Sequence, residues 1–151
     1  MRPPRQPRKN LRTDAARLVD ECAGLRSRLV ARRITQFLES ELAGAELTLA
    51  QLGLMAQIAA ASDDTIAALV MRTGLDQSTL SRNLRALEGE GLVEITIVES
   101  DLRRRAVWLT EKGARRLEQA IPLWRDANAR LSRHVATNLV LRLARETETL
   151  L

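Results

Sequence analysis

The chain has 151 residues, 45% of them apolar, which suits one globular domain with its own core and argues against a disordered chain. Its formal net charge is +5, but the first ten residues hold four of the cations, and the other 20 basic residues nearly balance 19 acidic ones. Net charge alone is therefore weak evidence for nucleic-acid binding. The positions of the arginines along the chain are better evidence.

The composition also argues against membrane and catalytic functions. No apolar run approaches the roughly 18 residues of a membrane span, so a soluble cytoplasmic protein is expected. A single histidine, His134, and a single cysteine, Cys22, exclude an intrachain His/Cys zinc cluster and most pairs of nucleophile and base. No glycine-rich phosphate loop is present. We therefore expect that the protein is not an enzyme and that it binds neither a cofactor nor a metal ion.

The N-terminal third divides into a tail and a long helix. Residues 1–10, MRPPRQPRKN, are expected to form a disordered basic tail that touches phosphates or simply keeps the protein soluble. A single helix is predicted from Leu11 to about Glu41, because apolar residues repeat at alternating fours and threes. These residues are Leu11, Ala15, Leu18, Cys22, Leu25 and Leu29. Such a seam needs a cover, either a second subunit or the C-terminal helices.

A helix-turn-helix follows in the middle of the chain. Gly44 marks a break, a helix is predicted from about Thr48 to Ala61, and residues 62–64, Ser-Asp-Asp, can cap the next helix. Gly74 then supplies the backbone freedom for a tight turn, and Asp76 is a strong N-cap for a helix that begins at Gln77.

The helix that begins at Gln77 has two different faces. Leu80, Leu84 and Leu87 lie on one face, which is expected to pack. The opposite face carries short hydroxyls and guanidiniums, which approach base edges and phosphates closely. These residues are Ser78, Ser81, Arg82 and Arg85. The pattern is typical of a recognition helix that enters a major groove.

A β-hairpin is predicted after this helix. Gly91 ends the helix, and Val93, Ile95 and Ile97 alternate with polar residues as in a half-buried strand. The return strand contains Val107 and Leu109. The predicted loop between the strands carries Asp101 and then three consecutive arginines, Arg103, Arg104 and Arg105. Arginines at the tip of a hairpin suit a narrow minor groove.

The remaining chain is predicted to be helical. Thr110 can cap a helix that contains Pro122 and in which apolar residues recur at helical spacing. Those residues are Leu117, Ile121, Trp124, Ala127 and Leu131. Residues 132–151 also have a helical pattern.

The segments GLDQSTLSRNLRALEGEGLV and DLRRRAVWLTEKG resemble the DNA-binding core of the multiple-antibiotic-resistance regulator (MarR) family. The wing of that family has the form Asp-x-Arg, six residues, then Leu-Thr-x-x-Gly. It is similar to Asp101, Arg103, Leu109, Thr110 and Gly113 here, with one residue fewer in the gap. The resemblance implies a mainly α, winged helix-turn-helix regulator with a two-stranded wing. Its implied DNA-binding residues are Gln77, Ser78, Thr79, Ser81, Arg82, Arg85, Arg103, Arg104 and Arg105.

The resemblance also implies an assembly and its partners. A single regulator domain of residues 11–151 would hold a DNA-binding lobe at about 47–110 and dimerisation helices at about 11–41 and 111–151. The implied homodimer binds double-stranded DNA at a pseudo-palindromic operator, as a repressor released by a small aromatic or phenolic ligand. Trp124, Phe37 and nearby arginines are candidates for lining the ligand pocket, and they serve equally well as core residues.

Two alternative functions also fit the sequence. Some members of the MarR family sense peroxides through a cysteine in the first helix, near the position of Cys22. Those relatives present tyrosine hydroxyls to the cysteine, whereas this chain has no tyrosine, and an apolar seam slows thiolate chemistry. The other alternative is a winged-helix module that binds an acidic protein partner. The hydroxyls of Ser78, Thr79 and Ser81 favour DNA, since a protein-binding surface more often shows large apolar anchors.

Overall fold

The computed structural model describes residues 9–98 and 101–150, with the side chains of residues 9, 98 and 101–104 outside the description. The chain divides into two units, Met1–Phe37 and Leu38–Leu151. The first unit holds helix α1 (Lys9–Glu21) and most of helix α2 (Ala23–Glu41). The tail was predicted to include residues 1–10, but α1 begins at Lys9, so residues 9 and 10 are helical. Residues 1–8 lie outside the described residues.

The prediction of one helix from Leu11 to Glu41 is wrong at Cys22, which separates α1 from α2. The guanidinium of Arg26 reaches back across the break, where Nε donates to the carbonyl oxygen of Asp20 at 3.0 Å and Nη2 donates to the Asp20 carboxylate at 2.6 Å. Gly24, a poor helix former, lies two residues after Cys22. The spacing of apolar residues reflects neither the bonds between Arg26 and Asp20 nor the presence of Gly24, so it predicted an uninterrupted helix.

The second unit is a winged helix-turn-helix, as predicted. After a 3-10 turn at Ala43–Ala45 come α3 (Leu49–Ala59), α4 (Ile66–Thr73), α5 (Gln77–Gly89), β1 (Val93–Val98), β2 (Asp101–Leu109), α6 (Glu111–Leu131), α7 (Thr137–Thr147) and a second 3-10 turn at Glu148–Leu150. Turn residues between α6 and α7 interrupt the helical pattern predicted for residues 132–151. No helix among the described residues is long and apolar enough to cross a membrane.

Side-chain caps set where the helices begin. Thr48 and Gln51 form a reciprocal capping box at the start of α3, and Thr110 caps α6 as predicted. The cap of α4 is Thr65, whose hydroxyl accepts from the backbone N–H of Ala68 at 3.3 Å, and not one of residues 62–64. Asp63 instead accepts from the backbone N–H of Thr65 at 2.9 Å, so it supports the cap from outside the helix.

The hairpin is antiparallel and longer on its second strand than predicted. Val93 pairs with Leu109 and Ile97 with Arg105, and the register then shifts so that Val98 pairs with Asp101. The placement of the three arginines in a loop between the strands is therefore wrong, since Arg103, Arg104 and Arg105 all belong to β2. Charged residues in a strand obscure the alternation from which strands are predicted. Residues 99 and 100 lie outside the described residues.

An aliphatic core holds α3, α4, α5, the base of the hairpin and α6 together. It forms one contiguous cluster of leucine, isoleucine, valine, alanine and methionine side chains. Its largest fully buried members are Leu42, Met55, Leu69, Leu80, Leu87 and Leu92. Burial of each such side chain contributes about 1.5–3 kcal/mol, so this core dominates the stability of the second unit.

One close backbone contact joins the end of α5 to the start of α6. A Cβ atom on Gly113 would lie 1.9 Å from the carbonyl oxygen of Leu92, a distance that no real Cβ atom adopts. The same carbonyl accepts the backbone N–H of Thr110 at 3.1 Å, so it cannot move away without breaking that bond. Only glycine fits at position 113.

We therefore expect Gly113→Ala to destabilise the protein by at least about 2 kcal/mol, despite the better helix propensity of alanine. Gly53→Ala is the matched control, because Gly53 lies exposed in α3 with open space around its Cα, and this substitution should stabilise by about 0.5–1 kcal/mol. Urea unfolding at one fixed protein concentration measures both variants. A Gly113→Ala variant as stable as its parent would contradict this account of the contact.

Candidate nucleic-acid interface

The turn between α4 and α5 has the geometry that its glycine predicts. Gly74 has φ +63°, in the left-handed region, and its N–H bonds to the carbonyl oxygen of Val70 at 3.1 Å. Asp76 then caps α5 through its carboxylate, which accepts the backbone N–H of Thr79 at 2.8 Å. The two helices of the motif are thus joined by a turn that ends one helix and starts the next within three residues.

The far end of α5 is closed by a Schellman motif. The N–H of Gly91, at φ +71°, bonds to the carbonyl oxygen of Glu88 at 2.9 Å. The N–H of Leu92 reaches the carbonyl oxygen of Leu87, also at 2.9 Å. Both ends of the helix are therefore fixed, and its orientation on the core is set by Leu80, Leu84 and Leu87, which are all at most 2% exposed.

The predicted contact residues of α5 lie on its outer face to different degrees. Gln77, Ser78, Arg82 and Arg85 are exposed, whereas Thr79 and Ser81 are half-buried. The half-buried hydroxyls lie where the outer face meets neighbouring elements. The exposed side chains present two guanidiniums, one amide and one hydroxyl, which are the groups that read base edges and hold phosphates.

The Asp76 carboxylate organises the first turn of α5. Ser78 Oγ donates to it at 2.6 Å and Thr79 Oγ1 at 2.7 Å, in addition to the backbone N–H of Thr79. The hydrogen bonds from the Ser78 and Thr79 side chains and then from the Thr79 backbone hold the pKa of Asp76 well below its usual range. Asp76 was predicted only as a backbone cap, and its bonds to two hydroxyls went unpredicted.

A groove of about 500 Å³ runs between α5 and the hairpin. Arg85 of the helix and Arg105 of β2 both line it, together with aliphatic side chains. The other lining residues are Ile66, Ser81, Leu84, Glu88, Ile95, Thr96 and Ile97. The structure thus brings together the helix and wing cations that the sequence had predicted separately.

Glu88 also lines the groove, since its seven-residue spacing from Ser81 places both residues on one face. Arg103 and Arg104 have their backbone in β2, and their side chains lie outside the described residues, so their DNA contacts stay predictions.

Cys22 and His134 lie outside this interface. Cys22 is a free, half-buried thiol at the junction of α1 and α2, in a shallow pocket with Arg17, Leu18 and Glu21. Its role as a peroxide sensor stays a prediction. His134 lies exposed in the turn after α6. Across residues 9–98 and 101–150, no three His, Cys, Asp or Glu side chains are grouped so that they could hold a metal ion.

The predicted aromatic pocket also stays a prediction. Trp124 is 40% exposed on α6, and Phe37 is half-buried on α2. Ile121, beside Trp124 in the predicted apolar stripe of α6, is 37% exposed, whereas Leu117, Ala127 and Leu131 are buried.

Comparison with known proteins gives relatives of one kind. The model of the MarR family matches residues 45–104, which run from the end of the 3-10 turn through most of the wing. A search of curated protein sequences gave no significant match.

Solved structures extend the similarity over most of the chain. The transcriptional regulator MosR of M. tuberculosis, in complex with DNA, is 30% identical over 85% of this chain and 98% of its own, with a TM-score of 0.74. A MarR variant from E. coli, complexed with operator DNA, is 26% identical over 89% of this chain and 98% of its own, also at 0.74. The repressor CouR, bound to a 23-mer DNA duplex, shares the fold at 24% identity, covering 88% of this chain and 94% of its own, with a TM-score of 0.74.

The identity with MosR over nearly its full length agrees with the family match and with the winged helix observed here. This chain therefore belongs to the MarR family of transcriptional regulators.

Proposed function

We propose that this protein is a sequence-specific transcriptional repressor that binds double-stranded DNA as a homodimer at a pseudo-palindromic operator. The observation that carries the proposal is the outer face of α5, where Gln77, Ser78, Arg82 and Arg85 are exposed. Arg85 also lines a groove with Arg105 of the wing. A helix of this kind enters the major groove, while the wing arginines meet the flanking minor groove or backbone.

Exposed aliphatic side chains in both units support the homodimer. In the first unit, Leu18 is 61% exposed and Leu25 is 43% exposed. In the second unit, Leu139, Leu141 and Leu143 of α7 are each more than half exposed. Aliphatic surface of this extent on terminal helices is typical of a subunit interface. The proposed dimerisation helices are therefore α1, α2, α6 and α7.

We also propose that the protein represses transcription and that a ligand releases it from DNA. Structural relatives include DNA-bound regulators, one of which is named a repressor. The resemblance to the MarR family further supports release by a small aromatic or phenolic ligand, for which Trp124 of α6 offers a partly exposed aromatic face. In this proposal the protein acts in the cytoplasm and catalyses no reaction.

Selection of bound fragments from a pool of random duplexes at physiological salt tests the proposal. We expect enrichment of an inverted repeat whose half-site centres lie about 10 base pairs apart, since two recognition helices enter successive major grooves. Light scattering on the isolated complex should give two chains per duplex. A pool without an enriched motif would overturn the proposal in favour of a winged-helix module that binds an acidic protein.

Two arginine variants separate base reading from backbone binding. On the selected operator, Arg82→Ala should cost about 1–3 kcal/mol per half-site and relax the preference at one base position. Arg105→Ala should weaken all duplexes more evenly and reduce the slope of log affinity against log salt by roughly one unit per subunit.

Arg115→Ala is the matched control for these two variants. Arg115 is an exposed arginine of α6 that pairs with Glu111, on a different element from both the recognition helix and the wing. Its removal changes the net charge equally, so affinity and specificity should stay within about twofold of the parent. If Arg82→Ala and Arg115→Ala behave alike, the assignment of α5 as the recognition helix is wrong.

A further inference from the structure

The N-cap residue of α5 has an exposed carboxylate that receives three hydrogen bonds from its own chain. Asp76 accepts the Ser78 hydroxyl at 2.6 Å, the Thr79 hydroxyl at 2.7 Å and the Thr79 backbone N–H at 2.8 Å. An ionised carboxylate has no hydrogen to give, so each hydroxyl must be the donor in its bond. The low pKa of Asp76, caused first by the Ser78 and Thr79 side chains, keeps the carboxylate ionised throughout the physiological range.

A hydroxyl whose hydrogen is already donated can only accept further hydrogen bonds. Serine and threonine hydroxyls have one hydrogen and two acceptor lone pairs. The hydroxyl oxygen of Thr79 already receives Arg82 Nη2 at 3.4 Å, and the exposed Ser78 oxygen keeps its outward lone pair. Both hydroxyls are thus acceptors towards anything that approaches α5.

An acceptor-only hydroxyl cannot bond to a phosphate, because phosphate oxygens are themselves acceptors. Turning the Ser78 hydrogen from Asp76 to a phosphate would only exchange one charged acceptor for another, with little net gain. In the major groove, adenine N6 and cytosine N4 offer amino hydrogens, whereas guanine N7 and O6 and thymine O4 only accept. The arrangement therefore distinguishes between classes of base.

We propose that Asp76 is a positioning residue that holds Ser78 as an acceptor, so that α5 reads an amino group, adenine N6 or cytosine N4, at the base facing Ser78 in each half-site. This inference rests on the proposed function. Asp76 itself need not contact DNA, since it acts through the direction of a hydrogen on its neighbour.

Base substitution in the operator tests the proposal with the unmodified protein. The duplex obtained by selection is varied through all four base pairs at each half-site position. At one position, adenine or cytosine should bind better than guanine or thymine by roughly 2- to 10-fold, the range of one hydrogen bond. If that base is adenine, purine, which lacks the N6 amino group, should lose the same factor. If it is cytosine, the analogue is 2-pyrimidinone, which lacks the N4 amino group.

Asp76→Gly provides the second arm. Ser78 donates to the same carboxylate oxygen that accepts the Thr79 backbone N–H, so only loss of that oxygen releases the Ser78 hydrogen. Glycine at an N-cap destabilises a helix less than alanine does, and it removes the carboxylate. The variant should accept guanine or thymine at the position facing Ser78 and keep its preferences elsewhere. Ser78→Ala should remove the preference at that position, and adding Asp76→Gly to it should change nothing further there. Circular dichroism melting checks that each variant is folded.

The outcomes separate this inference from the function on which it rests. A parent protein without any sequence preference overturns both. A parent that prefers one operator, with an Asp76→Gly profile that is merely changed at every position by one factor, shows that Asp76 only caps the helix and overturns the inference alone. Indifference of the parent to the amino-lacking analogue at every position of the half-site also overturns it, whether or not the variants fold.

Discussion

The contact between the Leu92 carbonyl and Gly113 is the constraint on which the winged-helix unit depends. Leu92 follows α5 and precedes β1, and Gly113 lies in the first turn of α6. With no room for a Cβ atom between them, the two backbones lie against each other. Thr110 strengthens the junction, because its hydroxyl donates to the carbonyl of Gly91 at 2.6 Å and accepts the N–H of Gly113 at 3.0 Å. Three elements thus meet at a few backbone atoms.

This junction connects recognition to assembly in the proposed dimer. Since α6 is one of the proposed dimerisation helices, the position of each α5 relative to its α6 determines how far apart two recognition helices lie. Lys112, also in the first turn of α6, donates to the carbonyl of Glu90 at 2.6 Å and adds a side-chain link at the same place. A ligand that shifts α6 in one subunit would move α5 with it, which gives the proposed release from DNA a physical route.

Much of the lobe could be predicted from local sequence, and the reason is that its turns and caps are local. Gly74, Asp76, Gly91 and Thr110 each act within about four residues, so their effect can be inferred from spacing alone. The break at Cys22 could not, because it depends on Arg26 bonding to the backbone of Asp20, a contact that apolar periodicity does not contain.

The candidate site was predictable in its residue types and less so in its geometry. Spacing places Arg82 and Arg85 on the outer face of α5, but the convergence of Arg85 with Arg105 across a groove depends on how the hairpin packs. The start of β2 was missed because Arg103, Arg104 and Arg105 break the alternation that identifies strands. The state of the Ser78 hydroxyl depends on an atomic distance of 2.6 Å to Asp76, which no sequence pattern specifies.

Tethered cleavage measures directly whether the outer face of α5 lies against the bases of an operator. The chain has one cysteine, so a Cys22→Ser, Gln77→Cys variant carries an iron chelate at the start of α5 alone. We expect DNA cleavage at two places about one helical turn apart, one in each half-site. The same chelate in a Cys22→Ser, Arg115→Cys variant should give no such pattern. Absent or uniform cleavage from position 77 on an operator that the protein still binds would contradict the account.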